Sequence, residues 1–166
     1  MTRPLFHRVA SPADIAVVAN LAREIWVEHY VPIIGRAQVD YMLDRVQSES
    51  AIAQQINEGQ EYYLISRDAP AGYFAVLPEQ SSRSMFLSKI YVRKGLRGRG
   101  LGKAAVEFIE GLCRARSLRT LWLTVNRNNS ASIAWYERMG FRNAGPVVKD
   151  IGGGFVMDDY RMEKNI

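Results

Sequence analysis

Apolar residues recur at helical spacing through the first third of the chain, and the period shortens to that of strands from Tyr62 onward. Phe6 to Val9 reads as a short strand. Ser11-Pro12-Ala13-Asp14 reads as a helix start, with Ser at the N-cap, Pro at the first helical position and an acid in the first turn. Ile15, Val18, Leu21, Ala22, Ile25 and Trp26 form its apolar stripe, which Pro32 and Gly35 should break. A second helix is expected from Gln38 to Val46, with Val39, Met42 and Leu43 inward. A short third runs from Ser50 to Asn57 and stops at Gly59. Tyr62–Ser66 and Gly72–Leu77 read as strands joined by the turn-rich Arg67–Ala71, and Pro78–Ser82 as a polar turn. Ser84–Val92 is a further strand, leading into a glycine-rich segment. A long helix is expected from Gly100 to about Ser117, a buried strand over Thr120–Val125, and a helix over Asn129–Met139 ended by Gly140. Phe141–Ala144 and about Phe155–Glu163 complete the chain as strands, separated by the flexible Gly152-Gly153-Gly154. No internal repeat, low-complexity tract or linker interrupts this order. The pattern predicts one mixed α/β domain over residues 1–166.

Composition narrows the class. With 166 residues, 48% of them apolar, the chain can build a core, which argues against disorder. No apolar run approaches a membrane span and the first twelve residues lack the apolar centre of a signal peptide, so a cytoplasmic protein away from membranes is expected. The single cysteine, Cys113, falls in a helical pattern and is expected to be a small buried residue. One cysteine and two histidines make no visible metal cluster, and no metal is expected. The net charge of +5 fits either a broad basic face for nucleic acid or local charge for a small polyanion. Arg114, Arg116 and Arg119 extend the basic trend, but no helix-turn-helix, zinc or RNP pattern appears, so the small ligand is favoured over nucleic acid.

The glycine-rich segment Lys89–Lys103 carries the chemistry. It joins a strand end, Lys89 to Val92, to a helix start at Leu101. Such a turn aims backbone N–H groups at one point, where the helix dipole adds positive charge. Glycine lets an anion approach closely. Arg93, Lys94, Arg97, Arg99 and Lys103 surround it with cations, so the segment reads as a pyrophosphate cradle. It is no P-loop: Gly102-Lys103 would require a glycine where Arg97 stands, and Ala104 replaces the magnesium-binding hydroxyl. A dinucleotide fingerprint fails because Lys103 occupies the third glycine position. What remains is Arg97-x-x-Gly100-x-Gly102, which resembles the acetyl-CoA signature Gln/Arg-x-x-Gly-x-Gly/Ala of the GNAT N-acetyltransferases.

A second segment, Val125 to Phe141, follows one strand later. Asn129, Ser132, Ile133, Tyr136 and the ending Gly140-Phe141 are similar to the second GNAT pattern. Asn129 and Tyr136 are seven residues apart, nearly two helical turns, with Ser132 and Ile133 between them on one face. One face can therefore present an amide, a hydroxyl and a phenol. The plainer alternative is a helix N-cap at Asn129 and a core aromatic at Tyr136. Two motifs in the right order identify the chain as resembling a GNAT-family acetyltransferase along nearly its whole length.

The resemblance implies the acyl-CoA N-acyltransferase fold, a mixed, mostly antiparallel sheet flanked by helices. Ser84–Val92 and Thr120–Val125 would be its two strands splayed at the CoA site. It implies acetyl-CoA as co-substrate. Ile90, Tyr91 and Val92 would meet the pantetheine and thioester, and Arg97, Gly98, Arg99, Gly100, Leu101, Gly102 and Lys103 the pyrophosphate. Asn129, Ser132 and Tyr136 would complete the cofactor site. Transfer to a primary amine would be direct, with Tyr136 as general acid. The strand before the cradle lacks the glutamate base of many relatives. A water chain or an acid from elsewhere must then serve as base, and Glu24 and Glu28, one helical turn apart, are the candidate carboxylates, against the plainer reading of a solvated helix face. The segment from Trp26 to Met42 and the C-terminal Phe155–Lys164 resemble the bacterial polyamine-acetylating subgroup, and Asp158 and Asp159 could join Glu24 and Glu28 in attracting a cationic amine. A protein N-terminus or lysine, an amino acid or an aminoglycoside are competing small-molecule or protein acceptors. A homodimer stays open, as does a non-catalytic CoA- or RNA-binding domain.

Overall fold

The computed structural model describes residues 3–166. In order the elements are β1 (Leu5–Arg8), α1 (Pro12–Ile34), α2 (Arg36–Val46), α3 (Glu49–Asn57), β2 (Glu61–Arg67), β3 (Ala69–Glu79), β4 (Ser84–Val92), α4 (Leu101–Ala115), β5 (Thr120–Asn126), α5 (Ser130–Arg138), β6 (Arg142–Gly152) and β7 (Phe155–Asn165). The strands hydrogen-bond in the order β1-β2-β3-β4-β5-β7-β6. The pairs β1–β2, β2–β3, β5–β7 and β6–β7 are antiparallel, and β4–β5 is parallel. The mixed α/β expectation thus holds. No helix among the described residues is long and apolar enough to cross a membrane.

Two compact units divide the chain, Met1–Leu77 with Lys89–Phe108, and Pro78–Ser88 with Ile109–Ile166. In the first, β2 is buried on both faces, which explains its continuous apolar reading. Tyr63 pairs with Phe74, and their rings stack at 4.9 Å beside Phe6 and Phe108. Tyr62 and Tyr73 stack at 6.4 Å, and Tyr73 accepts the Trp26 indole N–H at 3.2 Å. Val18, Leu21, Ala22, Ile25 and Trp26 of α1 are buried, as their spacing requires. The start of α1 is a capping box: Ser11 Oγ accepts from Asp14 N, and Asp14 accepts from Ser11 N.

Pro32 does not break α1, which runs on to Ile34 and ends at Gly35. A helical proline forfeits one hydrogen bond, but Trp26 and Tyr30 on the preceding turns pack against Tyr91 and hold this end of the helix in place. The broad turn expected over Arg67–Ala71 is shorter: Arg67 pairs with Ala69 across Asp68, whose φ is 68°. β3 also extends through Pro78, so the polar turn begins later than expected.

In the second unit, β5 alternates, with Leu121, Leu123 and Val125 buried and Trp122, Thr124 and Asn126 half-buried on the other face. Cys113 of α4 is fully buried, as expected. β6 is much longer than the expected Phe141–Ala144. Gly145 and Pro146 hide it from a pattern reading, because this is an edge strand with exposed residues on both faces and a register shift at Asn143/Gly145. Gly152 pairs with Phe155, so the expected flexible glycines form a tight hairpin turn, with Gly153 at φ 63° and Gly154 at φ 79°.

Candidate active site

In the first unit, the chain leaves β4 through a single 3-10 turn, Lys94–Leu96, before α4 begins. Arg93 N donates to Ala71 O at 2.8 Å, which ties the start of the turn to β3. Gly72 is required beside it: a Cβ there would fall 2.1 Å from Tyr91 O. Gly98 and Gly100 serve differently. Their φ angles of 76° and 81° are left-handed, while an added Cβ would meet nothing within 4 Å. The space in front of them is open. The first intrahelical bond of α4 is Ala104 N to Gly100 O, so the N–H groups of Leu101, Gly102 and Lys103 have no acceptor within the helix. Lys94, Arg97, Arg99 and Lys103 are exposed around them. Amides, dipole, open backbone and cations fit a diphosphate.

Two cradle arginines are engaged. Arg97 Nε donates to Val92 O at 3.0 Å, so the Val92 carbonyl expected to face a ligand is already occupied by this side chain. Arg93 pairs with Glu24 at 3.1 Å. The structure thus brings Glu24 of α1 onto the cradle. Glu28 is exposed on the same helix. His29 beside it is half-buried, and burial, followed by the positive charge of Arg97, holds its imidazole below the ordinary value. Tyr30 meets Tyr91 hydroxyl to hydroxyl at 3.3 Å, and Trp26 lies 4.7 Å from Tyr30 and 5.5 Å from Tyr91. Tyr91 therefore offers its ring to this aromatic group, with half-buried Ile90 and Val92 flanking it on β4.

In the second unit, Asn129 is the N-cap of α5, its side chain accepting from Ser132 N at 3.3 Å, and it is buried. The plainer alternative for Asn129 is thus realised in this helix. Ser132 and Tyr136 are half-buried, and the Tyr136 ring packs edge-on to Phe141 at 5.6 Å and Trp135 at 5.1 Å. The β4–β5 ladder joins Ser84–Phe86 to Thr120–Trp122, while β5 pairs with β7 along its full length to Asn126.

Residues 20–141 match the model of the acetyltransferase (GNAT) family. The chain belongs to the GNAT acetyltransferase family. The ribosomal protein bS18-alanine N-acetyltransferase of Escherichia coli K12 is 32% identical over 94 residues, 53% of this chain and 60% of that enzyme. The streptothricin acetyltransferase of Streptomyces lavendulae is 33% identical over 75 residues, 45% of this chain and 40% of that enzyme. These alignments therefore span only about half the length of the curated relatives. The PaiA N-acetyltransferase of Thermoplasma acidophilum, solved in complex with coenzyme A, has the same fold, with a TM-score of 0.80 at 19% identity over 99% of this chain and 100% of that one. The seven-stranded mixed sheet is the GNAT fold.

Pattern reading overlooked Lys89 in this GNAT chain. It is 6% exposed, donates to Gln55 Oε1 at 3.0 Å and Gln60 Oε1 at 3.4 Å, and lies 5.2 Å from the Tyr62 ring centroid. Tyr62 donates to the same Gln55 oxygen. The available signal was alternation: Met85, Leu87 and Lys89 share the inward face of β4. Burial pushes the Lys89 ammonium down to about 7. An unfolded lysine keeps its proton to about pH 10.4. Between these values the unfolded chain binds more protons, so this group makes stability rise with pH and weighs most on the fold below about pH 7. Lys89→Met is expected to stabilise the fold by about 1–4 kcal/mol near neutral pH. The gain in melting temperature should shrink toward about pH 10. A variant that melts below wild type at neutral pH would show that the Gln55 and Gln60 bonds outweigh the burial cost.

Proposed function

We propose that this GNAT chain is a cytoplasmic, metal-independent N-acetyltransferase that moves acetyl from acetyl-CoA directly to a primary amine, acting as a single domain over residues 1–166. The observation that carries this is the β4–turn–α4 cradle, with its left-handed glycines, unpaired first-turn amides and exposed cations. When bound, acetyl-CoA supplies the activated thioester carbonyl. Arg97 to Lys103 hold the diphosphate, and Ile90 and Tyr91 offer backbone groups to the extended arm. Asn129 and Ser132 line the start of α5, and Tyr136 gives its phenolic proton to the departing thiolate. Cys113 takes no part: burial first, then the Glu110 charge, pushes its thiol up to about 11, so little thiolate exists at neutral pH. Glu28 supplies an exposed carboxylate that draws a cationic amine, while Glu24 acts by orienting Arg93.

For the acceptor, similarity to an enzyme named for a ribosomal-protein alanine supports a protein N-terminal amine. The exposed Glu28 carboxylate and the Trp26–Tyr30–Tyr91 aromatic group support a second reading, a polyamine. Mass spectrometry of the purified chain with acetyl-CoA and spermidine, spermine, an alanine-initiated peptide, streptothricin or free amino acids decides between them. On the polyamine reading spermidine turns over faster than peptide lysines and amino acids. Preference for the alanyl peptide removes that reading and keeps the enzyme. Tight RNA binding without acetyl-CoA binding removes both.

A further inference from the structure

Asp159 of β7 is a buried carboxyl whose hydrogen bonding the fold leaves incomplete. It is 4% exposed and lies opposite Asn126 of β5 and Val147 of β6. Thr124 lies on the same face of β5 as Asn126, and its hydroxyl favours the charged form of the carboxyl; Oδ1 is fully buried and has no hydrogen-bond partner. The cations close in sequence are committed elsewhere. Arg127 Nε meets Asp158 Oδ1 at 2.9 Å, and its guanidinium lies 5.3 Å from the Tyr160 ring centroid. Arg161 donates to Glu163 at 2.8 Å and lies over Trp122 at 4.0 Å. On β6 the facing residue is apolar Val147, and Lys149 is opposite Met157. Burial, opposed by the Thr124 hydroxyl and reinforced by the Asp158 charge, pushes the Asp159 carboxyl up to about 6.

A buried carboxylate with an unmet oxygen is costly unless a cation or N–H donor completes it. No described side chain does so at Oδ1. Half-buried Thr124 and Asn126 on the same face provide further polar groups for a small ammonium. We infer that Asp159 binds the acceptor's ammonium through Oδ1 and takes its proton before attack. This rests on the acetyltransferase reading. An N–H bond of the ammonium breaks, its proton goes to Oδ1, and the electron pair stays on nitrogen. That pair forms the N–C bond at the thioester carbonyl while the C–S bond breaks. The sulfur leaves with its electron pair and is protonated by Tyr136. The amide nitrogen sheds its second proton to water. Of the two protons taken from nitrogen, one returns to the Tyr136 phenolate and the other leaves to solvent, so Asp159 is again a carboxylate and Tyr136 a phenol.

Carbon-13 NMR of the Asp159 carboxyl in the full chain tests binding without turnover. Methylammonium, spermidine or an alanine-initiated peptide is expected to lower its pKa by about one unit or more, as a nearby cation does. No shift with any of the three overturns the inference. Asp159→Asn tests the proton step in the same samples. It should keep acetyl-CoA affinity within about twofold and melt no lower than wild type, because it removes a buried charge. It should lose about 10²–10⁴-fold in turnover together with the acidic limb of the pH–rate profile. An Asn variant with wild-type turnover and pH profile also overturns the inference. If the carboxyl shifts but wild type acetylates none of these amines, the amine site stands and the acetyltransferase reading fails.

Discussion

Tyr136→Phe is expected to lose about 10²–10⁴-fold in turnover, the usual worth of general acid catalysis, while its fold and acetyl-CoA affinity stay near wild type. The ring is what packs edge-on against Phe141 and Trp135, and phenylalanine retains it. Only the hydroxyl is lost, and with it the proton for the departing thiolate. If Tyr136 is instead only a core aromatic, the Phe variant turns over like wild type and Tyr136→Ala unfolds the unit. Rates and melting temperatures of both variants separate the two. A Phe variant with an unchanged rate would remove Tyr136 from the mechanism.

Gly100→Asp is expected to weaken acetyl-CoA binding by between about fivefold and 10³-fold. The range follows from charge: two like charges 4 Å apart repel by about 1 kcal/mol in water and about 4 kcal/mol near a protein surface, and each 1.4 kcal/mol is about tenfold. The loop's exposure favours the lower part of this range at high salt. Gly100→Asn is the control. Both side chains tolerate a left-handed φ better than most, the φ of 81° is common to both, and neither Cβ meets a neighbour. Asn should therefore fold like Asp and bind acetyl-CoA more tightly, with the difference shrinking as salt is added. Equal affinities for Asp, Asn and wild type by calorimetry would mean that the pyrophosphate lies elsewhere.

Much of this protein was legible before any coordinates. Helical and strand periods located every major element, and Ser84–Val92 was read with the bounds it has. The misreadings share one cause: local propensity was overridden by what the segment meets. Pro32 stays helical because aromatic packing holds the end of α1, and β6 is expected only over Phe141–Ala144 rather than to Gly152 because an edge strand exposed on both faces carries no alternation to read. The cradle was legible because its chemistry is local. Left-handed glycines, first-turn amides and five basic residues all lie within eleven positions of one another, Arg93 to Lys103.

Pairing and burial between distant residues were decided by the tertiary structure alone. Glu24 reads as an acid on a solvated helix, yet it is joined to Arg93, and no spacing rule connects them. Lys89 reads as part of a strand end ahead of the basic segment. Gln55, 34 residues earlier, and the Tyr62 ring enclose it and lower its proton affinity. Asp158 and Asp159 look alike in sequence, but on a strand they point to opposite faces: Asp158 forms an ion pair with Arg127 at 2.9 Å, without a well-directed hydrogen bond at its Oδ1, and Asp159 is 4% exposed with its Oδ1 buried and unpartnered. The order of residues determined which groups were available and which backbone segments could cradle an anion. Desolvation and partnership, which set the charge each group carries, depend on the three-dimensional neighbourhood and had to wait for the fold.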